Sequence, residues 1–166
     1  MPNRRPVNLW IRPGIPREYF AYGVDQGESR ARFKEAWEII KLAWSEESFS
    51  YKGDFWNYND VAIWPRPVQQ PRPPVWVTVT VIKETIEWAE QENIPFTPGT
   101  NATLPVMQDM VRFYAKCLAK NGYSINPDHV ILRANVYVAD NKQQAMEEAE
   151  PHMLYFCLLY TSPSPT

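Results

Sequence analysis

The sequence predicts an α/β fold of about four βα units, with parallel strands and a small hairpin excursion. Two observations predict this fold. Apolar segments of strand length alternate along the chain with segments that have helical periodicity. In addition, Val75–Val79 is β-branched or aromatic at every position, which is typical of a strand covered on both faces in a parallel sheet. Such units imply right-handed crossovers, and they fit either a small open sheet or part of a barrel.

The composition is that of a folded globular protein with one domain. The chain has 166 residues, of which 45% are apolar and 22% are charged, which suffices for a hydrophobic core. The formal net charge is −2 and Arg4–Arg5 is the only basic cluster, so we expect no nucleic-acid partner. The longest apolar run, Met153–Tyr160, is far too short to span a bilayer, and no signal-peptide pattern follows Met1. We therefore expect a cytoplasmic protein with no membrane partner.

The first part of the chain is predicted to form a short strand and a long helix. Val7–Ile11 is a strand candidate, and Arg12–Pro16 after it is predicted to be a loop. Ser29–Trp44 carries apolar residues at the i, i+3, i+4 and i+7 positions of one helical face. Asp25 and Glu28 have the spacing of a capping box ahead of that helix.

A long excursion is predicted between this helix and the strand at Val75–Val79. Phe49–Trp56 alternates around a Lys-Gly-Asp turn, which indicates a small hairpin, and Val61–Trp64 is a second strand candidate. Connections of this length are usually functional or protective. Prolines stiffen the approach to the strand and favour extended backbone; they are Pro65, Pro67, Pro71, Pro73 and Pro74.

The rest of the chain continues the alternation of strand and helix candidates. Glu84–Glu92 is predicted to be a helix, and its N-terminus, just after a strand, is where α/β proteins tend to bind phosphates. Ile94–Phe96 is the next strand candidate, and Val106–Lys120 is a strong amphipathic helix ended by an Asn-Gly pair. Val130–Val138 is predicted to be a strand. Asp140–Glu150 is predicted to be the last helix, ended by the proline that follows it.

The cysteines and tryptophans of these elements are predicted to pack rather than to react. Cys117 and Cys157 lack the spacing of metal ligands, and Cys117 lies on or beside the apolar face of its helix. We therefore expect Cys117 to be a small buried apolar side chain. Four tryptophans are predicted to pack in the core or between helices and sheet: Trp37, Trp44, Trp76 and Trp88.

Particular residues also carry a resemblance to a known family. They follow one another in a single order over roughly residues 11 to 156. The most specific pieces are Ile15–Tyr19, Tyr22–Asp25, Glu28–Arg30, the helix Arg32–Trp44, Phe49–Gly53, Pro65–Pro71, Pro74–Val77 and Thr85–Ala89. Together they resemble the bacterial luciferase-like, flavin-dependent monooxygenases.

The resemblance implies a (β/α)₈ barrel in which reduced flavin, usually FMN, activates O₂ and a small organic substrate is oxygenated. A close variant uses a deazaflavin for hydride transfer. A whole barrel needs about 250 residues, so the chain is expected to be a fragment, a partial (β/α)₈ TIM barrel from its middle-to-late portion. The family domain is expected to cover residues 9–156, with residues 1–8 and 157–166 outside it. A flavin reductase is implied as a partner, and unpaired strand edges predict self-association.

The resemblance places one cofactor residue at Arg12. This residue matches the arginine that the family places after an early barrel strand, within a Gly-Arg-Gly triplet that lines the flavin site. Its neighbours in this chain are Ile11 and Pro13. Glycines let the backbone approach a cofactor closely, whereas a branched side chain and a proline ring do not.

The second cofactor position is the turn that follows the Val75–Val79 strand. The family's phosphate site corresponds to the Thr80-Val81-Ile82 turn and to Thr85, with Gly and Ser in the family where this chain has Val81 and Ile82. Backbone N–H groups can still bind a phosphate there, and Thr85 can donate one hydrogen bond.

No catalytic residue and no metal site are predicted. The family's catalytic histidine lies upstream of the part that this chain matches, and His129 and His152 are expected to be surface or packing residues. The alternative function is a non-catalytic barrel domain, degenerate or truncated, that acts only in packing or partner contact. The residues that favour this alternative are Ile11, Pro13, Val81 and Ile82.

Overall fold

The computed structural model describes residues 8–79, 83–100 and 102–161, with side chains in the last helix described as far as Leu158. Its strands are β1 (Leu9–Ile11), β2 (Phe49–Lys52), β3 (Asn57–Val61), β4 (Val75–Val79) and β5 (Phe96–Pro98). Its helices are α1 (Pro16–Tyr22), α2 (Ser29–Ser45), α3 (Lys83–Gln91), α4 (Leu104–Lys120) and α5 (Lys142–Thr161).

Three of these strands form a parallel sheet in the order β1-β4-β5. The register places Leu9 opposite Val75, and it places Val77 opposite Phe96. Along the chain, α1 and α2 follow β1, α3 follows β4 and α4 follows β5. The predicted α/β fold with parallel strands is therefore confirmed, and β4 has the predicted bounds.

The hydrophobic core lies between one face of this sheet and helices α2, α3 and α4. The valines of β4 are buried on this face, together with Phe96 of β5 and Ile86 of α3. Burial of a side chain of this size contributes about 1.5–3 kcal/mol, so this face is the main source of stability. Cys117 of α4 is buried and unpaired, which confirms its prediction as a small apolar side chain.

The prediction that β4 is covered on both faces is wrong, because its second face is only partly buried. Trp76 and Thr78 alternate with the buried valines and are only half-buried. Trp76 stacks on Trp10 of β1, with 5.9 Å between ring centroids, so it does not belong to the helix–sheet core as predicted. Successive side chains of a strand point to opposite faces, and an apolar run does not reveal which face has a cover. We call this side of the sheet, formed by Trp10, Trp76, Thr78 and Thr97, the inner face.

The helices with strong amphipathic patterns are confirmed. α2 begins at the predicted Ser29, α3 begins one residue before the predicted Glu84, and α4 begins two residues before the predicted Val106. The other predicted core tryptophans are confirmed: Trp37 and Trp88 are buried, and Trp44 packs against them.

Helix α1 was missed by the sequence analysis. It begins at Pro16, which was predicted to be part of a loop, and a proline suits the first helical position because no N–H is needed there. Gly23 ends the helix with φ +63°, a conformation that glycine adopts at little cost. Asp25 then accepts a hydrogen bond from the backbone N–H of Gly27 (2.7 Å) and caps a short 3₁₀ turn, not α2 as predicted.

The hairpin excursion is confirmed, but its second strand lies earlier than predicted. β2 and β3 are antiparallel, and β3 ends at Val61, where the predicted strand was to begin. Lys52 of β2 pairs with Asn57 of β3 directly after the turn, so the second strand begins there and not at Val61. The turn is tied to α2 because the Glu35 carboxylate accepts hydrogen bonds of 2.9–3.2 Å from the backbone N–H groups of Asp54, Phe55 and Trp56.

The predicted strand Val130–Val138 is not formed. Val130 makes an isolated parallel bridge to Phe96, and the Ile131 N–H donates to the Phe96 carbonyl at 3.1 Å. Residues 131–139 belong to no strand or helix. β5 starts at Phe96, the last residue of its predicted strand, and ends after three residues. A β-prone segment needs a partner of matching length, and β5 is too short to pair with all of it.

The last helix was predicted to end at Pro151, and this is wrong. α5 continues through Pro151 to Thr161. A proline removes one helical hydrogen bond, but the Glu, Met and Leu residues around it are strong helix formers and favour continuation. The helix starts after Asn141, whose Oδ1 accepts the Gln144 N–H at 3.0 Å, so Asn141 and not Asp140 is the cap.

Candidate functional site

The carboxyl ends of β1 and β4 lie at one edge of the sheet, the position where open α/β sheets bind ligands. A cleft lies at this edge, between the loop after β1 and helices α2 and α3. Its lining residues are Pro13, Arg30, Phe33, Lys34, Glu84, Thr85 and Trp88. Its interior volume is about 50 Å³, enough for a few waters but far below the roughly 300–1,000 Å³ of sites for whole small molecules. The cleft therefore suits one small polar group of a larger ligand.

Thr85 is the predicted cofactor residue that the structure places in this cleft. It lies in the first turn of α3 and is only 9% exposed. The N-terminus of a helix favours an anion because its first N–H groups are unpaired and the helix dipole is positive there. The other residues predicted for the phosphate site, Thr80, Val81 and Ile82, lie outside the described residues.

Arg12, the other predicted cofactor residue, lies directly after β1 and one residue before Pro13 of the cleft. Its guanidinium pairs with the Glu18 carboxylate of α1, and its side chain is 39% exposed. Glu18 also accepts the Ile15 N–H at 3.0 Å, and Tyr19 donates its hydroxyl to the Pro13 carbonyl at 2.7 Å. The loop after β1 is therefore held against α1, and the Arg12 charge is partly neutralised by Glu18.

The side chains that line the cleft carry more positive than negative charge. Arg30 and Lys34 of α2 contribute two cations, and Glu84 of α3 contributes one carboxylate. Arg30 and Glu84 are 3.5 Å apart, a loose ion pair between exposed side chains. A hydrogen bond from its own backbone and the charge of Arg30 hold the pKa of Glu84 below its usual value. The excess positive charge and the α3 N-terminus together favour an anion in the cleft.

A second constellation lies on the inner face, and its central residue, Arg133, is not among the residues predicted from the sequence. The Arg133 Nε donates to Thr97 Oγ1 at 3.1 Å, and its Nη2 donates to Thr78 Oγ1 at 3.4 Å. Its guanidinium carbon lies 5.3 Å from the centroid of the Trp10 ring. The side chain thus extends across β5 and β4 toward β1.

The strand register explains why these residues meet Arg133. Trp10 pairs with Trp76 and Thr78 pairs with Thr97, so these four side chains share one face of the sheet. A single arginine in the apolar run after Pro127 is a signal that it faces polar partners, because an unpaired charge is rarely placed in an apolar environment. From periodicity alone the run predicts a strand and no site residue.

The remaining candidate residues have structural roles or none. The His129 Nδ1 accepts the Asn126 N–H at 3.2 Å and its ring packs edge-on against Tyr114, which confirms its packing role. His152 is exposed on α5. Among the described residues, no group of three or more His, Cys, Asp or Glu side chains is placed to bind a metal ion. In the same ranges, no helix is both long and apolar enough to cross a membrane.

Comparison with known proteins identifies the family. The family described as luciferase-like monooxygenase matches residues 11–162 of the chain. The chain therefore belongs to the luciferase-like monooxygenase family.

Two curated relatives illustrate the range of the family. The chain is 27% identical over 136 residues to the oxygenase component of flavin-dependent trigonelline monooxygenase from Acinetobacter baylyi, covering 81% of this chain and 37% of that protein. It is 41% identical over 68 residues to F420-dependent glucose-6-phosphate dehydrogenase from Kineococcus radiotolerans, covering 39% of this chain and 20% of that protein.

Solved structures show the same fold. The monooxygenase RslO1 from Streptomyces bottropensis superposes with a TM-score of 0.76 at 23% identity, covering 95% of this chain and 49% of that one. The oxygenating constituent of 3,6-diketocamphane monooxygenase from Pseudomonas putida, in complex with FMN, has a TM-score of 0.65 at 15% identity and covers 89% and 45% of the two chains. The chain thus has the fold of the luciferase-like barrels, and it spans less than half the length of these proteins.

Proposed function

We propose that the chain is part of a flavin-dependent monooxygenase, an enzyme that uses reduced flavin and O₂ to oxygenate a small organic substrate. The observation that carries the proposal is the cleft shared by Pro13 and Thr85 at the carboxyl edge of the sheet. Family membership supports it, because two of the similar proteins are named as monooxygenases that use flavin or bind FMN. A flavin reductase partner and a cytoplasmic setting belong to the same proposal.

The donors around the cleft fit the phosphate of a flavin mononucleotide. Thr85 would donate its hydroxyl, Arg30 and Lys34 would supply positive charge, and the α3 N-terminus would supply backbone N–H groups. The cleft is too small for a flavin ring, so only the phosphate is assigned to it. Reduced flavin, when bound, supplies the electrons for the reaction with O₂, while the protein's part is to bind, orient and exclude water.

FMN is the proposed cofactor, and a deazaflavin is the variant within the same proposal. An F420-dependent dehydrogenase is among the relatives, and FMN and F420 both contain a phosphate group. The Thr85 cleft suits this shared group and therefore does not separate the two cofactors. Binding measurements with FMN and with F420 on the same protein separate them directly.

The alternative is a barrel domain without catalysis, and one observation favours it. Arg12 is paired with Glu18, and its neighbours Ile11 and Pro13 replace the glycines of the family triplet. An arginine already paired on the protein has less positive charge to offer a phosphate. This alternative predicts no saturable binding of either cofactor.

An FMN titration decides between the two. Flavin fluorescence and the visible spectrum are followed as protein is added, for the unchanged chain and for Thr85→Val. We expect saturable binding, weakened about tenfold by Thr85→Val because a hydrogen bond to a charged group is lost. Arg112→Gln is the matched control, since Arg112 is exposed on α4 and pairs with Asp109 away from the cleft. If no saturable binding occurs at high micromolar FMN or F420, the non-catalytic reading holds for this polypeptide.

A further inference from the structure

Arg133 is a cation on the inner face for which the described part of the chain provides no carboxylate. None of the ion pairs in these ranges involves Arg133. Its recorded partners are the hydroxyls of Thr97 and Thr78 and the ring of Trp10, all of which are uncharged. These contacts position the guanidinium, and none of them neutralises its charge.

The geometry leaves donors of Arg133 available. A guanidinium has five N–H donors. The threonines accept one from Nε and one from Nη2, so the Nη1 and Nη2 edge still has donors for a ligand. Two nitrogens side by side match the two oxygens of a carboxylate, which is the strongest pairing that arginine makes.

The surroundings select a flat ligand. Trp10 and Trp76 are stacked, with 5.9 Å between ring centroids and an angle of 22° between ring planes, and Trp10 is 43% exposed. The exposed part of Trp10 offers an apolar, aromatic surface next to the guanidinium. A planar organic group gains stacking energy on such a surface, of the order of 0.5–1.5 kcal/mol for a pair of aromatic rings.

We propose that Arg133 binds the anionic group of the substrate, and that the substrate class is a small planar organic carboxylate lying against the exposed part of Trp10. This inference rests on the proposed function and gives it a substrate class. Thr78 and Thr97 act as positioning residues, because they hold the guanidinium over the sheet. The Arg133 side chain is half-buried and its hydrogen-bond and ring partners are uncharged, so the site favours ligands that bring a negative charge with them.

The test compares two probes of nearly equal shape, benzoate and benzamide, on the full chain. Binding is measured by calorimetry or by NMR line broadening, for the unchanged chain, Arg133→Gln and Arg133→Lys. We expect benzoate to bind about tenfold or more tightly than benzamide. Arg133→Gln should bring this ratio to about one, and Arg133→Lys should retain part of it because the charge remains without the planar fork.

Two results would overturn the inference. One is a benzoate-to-benzamide ratio near one in the unchanged chain, and the other is an unchanged ratio in Arg133→Gln. A purely structural role of Arg133 would alter the thermal stability of the variants without altering this ratio. Arg112→Gln is the matched control for a general loss of positive charge, and it should keep the full preference for benzoate.

The proposed function and this inference fail separately. Loss of FMN binding by the Thr85 cleft with a retained preference for benzoate would remove the flavin proposal and leave the anion site in place. Saturable FMN binding with no preference for benzoate would remove only the substrate class.

Discussion

The indole N–H of Trp37 donates a hydrogen bond to the Glu92 carboxylate, with 2.8 Å between Nε1 and Oε2. Trp37 belongs to α2 and is 1% exposed, whereas Glu92 follows the end of α3. Lys41 also donates to the same carboxylate oxygen at 3.2 Å, and the Arg72 guanidinium stacks over the Trp37 ring. The Glu92 carboxylate thus connects α2 to the end of α3, and Arg72 of the proline-rich approach to β4 donates to the Glu92 backbone carbonyl at 3.4 Å.

Replacing Glu92 by alanine should destabilise the protein by about 2 kcal/mol. The buried Trp37 N–H loses its acceptor, and an unsatisfied buried donor costs about 1–3 kcal/mol. Urea unfolding followed by tryptophan fluorescence measures the change. Glu38→Ala is the matched control, since Glu38 also pairs with Lys41, at 2.9 Å, but is 51% exposed and does not accept from the indole. We expect the control to change stability by no more than about 0.5 kcal/mol; equal losses for the two variants would contradict the role of the indole.

The packing of Glu35 against Gly53 gives a second prediction. A Cβ at position 53 would lie 2.0 Å from Glu35 Oε1 and 2.7 Å from Tyr51 Cε1. Gly53→Ala should therefore push the carboxylate away from the backbone N–H groups of the hairpin turn and cost about 1–3 kcal/mol.

A double-mutant cycle tests this cause. If the clash with Glu35 is responsible, Gly53→Ala should cost clearly less in a Glu35→Ala background than in the unchanged chain, as measured by urea unfolding midpoints. Additive costs would show that the two residues do not interact and that the strain comes from Tyr51 alone.

Tyr114 should make the protein less stable at high pH. Burial, with smaller contributions from Glu90 and Cys117, raises the pKa of Tyr114 to about 12, and its hydroxyl lies 3.4 Å from the Ile94 carbonyl. In the unfolded chain the phenol ionises near pH 10. Between pH 10 and 12 the unfolded state therefore binds fewer protons than the folded state, and the free energy of unfolding falls as pH rises, by up to about 2–3 kcal/mol.

Tyr114→Phe should remove this part of the pH dependence. The measurement is the difference in urea midpoint between pH 9 and pH 11, compared with the same difference in the unchanged chain. Tyr123→Phe is the control, because Tyr123 is exposed and should leave the difference as it is. A pH dependence in Tyr114→Phe equal to that of the unchanged chain would contradict the assignment.

Local sequence patterns predict correctly those helices and strands whose own apolar residues pack in the core. The apolar periodicity of α2 predicts its start, and the β-branched run predicts both ends of β4. The run Val130–Val138 has the same β-branched character but forms only the bridge at Val130, since strand formation depends on a neighbour that periodicity cannot supply.

The candidate site was predictable only in part for a related reason. Thr85 was found from a family position, and it lies in the cleft beside Pro13. Arg133 acquires its meaning from Thr78 and Thr97, which are 55 and 36 residues away in the chain and meet it through the sheet register. Spacing along the chain does not reveal this grouping, and the isolated arginine in the apolar run after Pro127 marks only one member of it.

The unpaired edge next to β5 predicts self-association, the last expectation from the sequence. Residues 131–139 are outside any strand, and Val136 and Val138 are 80% and 85% exposed. Beyond the bridge at Val130, β5 pairs with no strand on this side in the described residues, and an unpaired edge of this kind pairs readily with another chain. We expect sedimentation velocity to show an average mass that rises with concentration across the micromolar range. Val136→Lys should shift the chain toward monomer, because a charged lysine in the exposed segment beside β5 opposes pairing with another chain. Leu154→Lys on α5, where the leucine is also exposed, is the control and should associate like the unchanged chain. A chain that stays monomeric at high concentration, or a control that dissociates as fully as Val136→Lys, would show that this edge is not the contact.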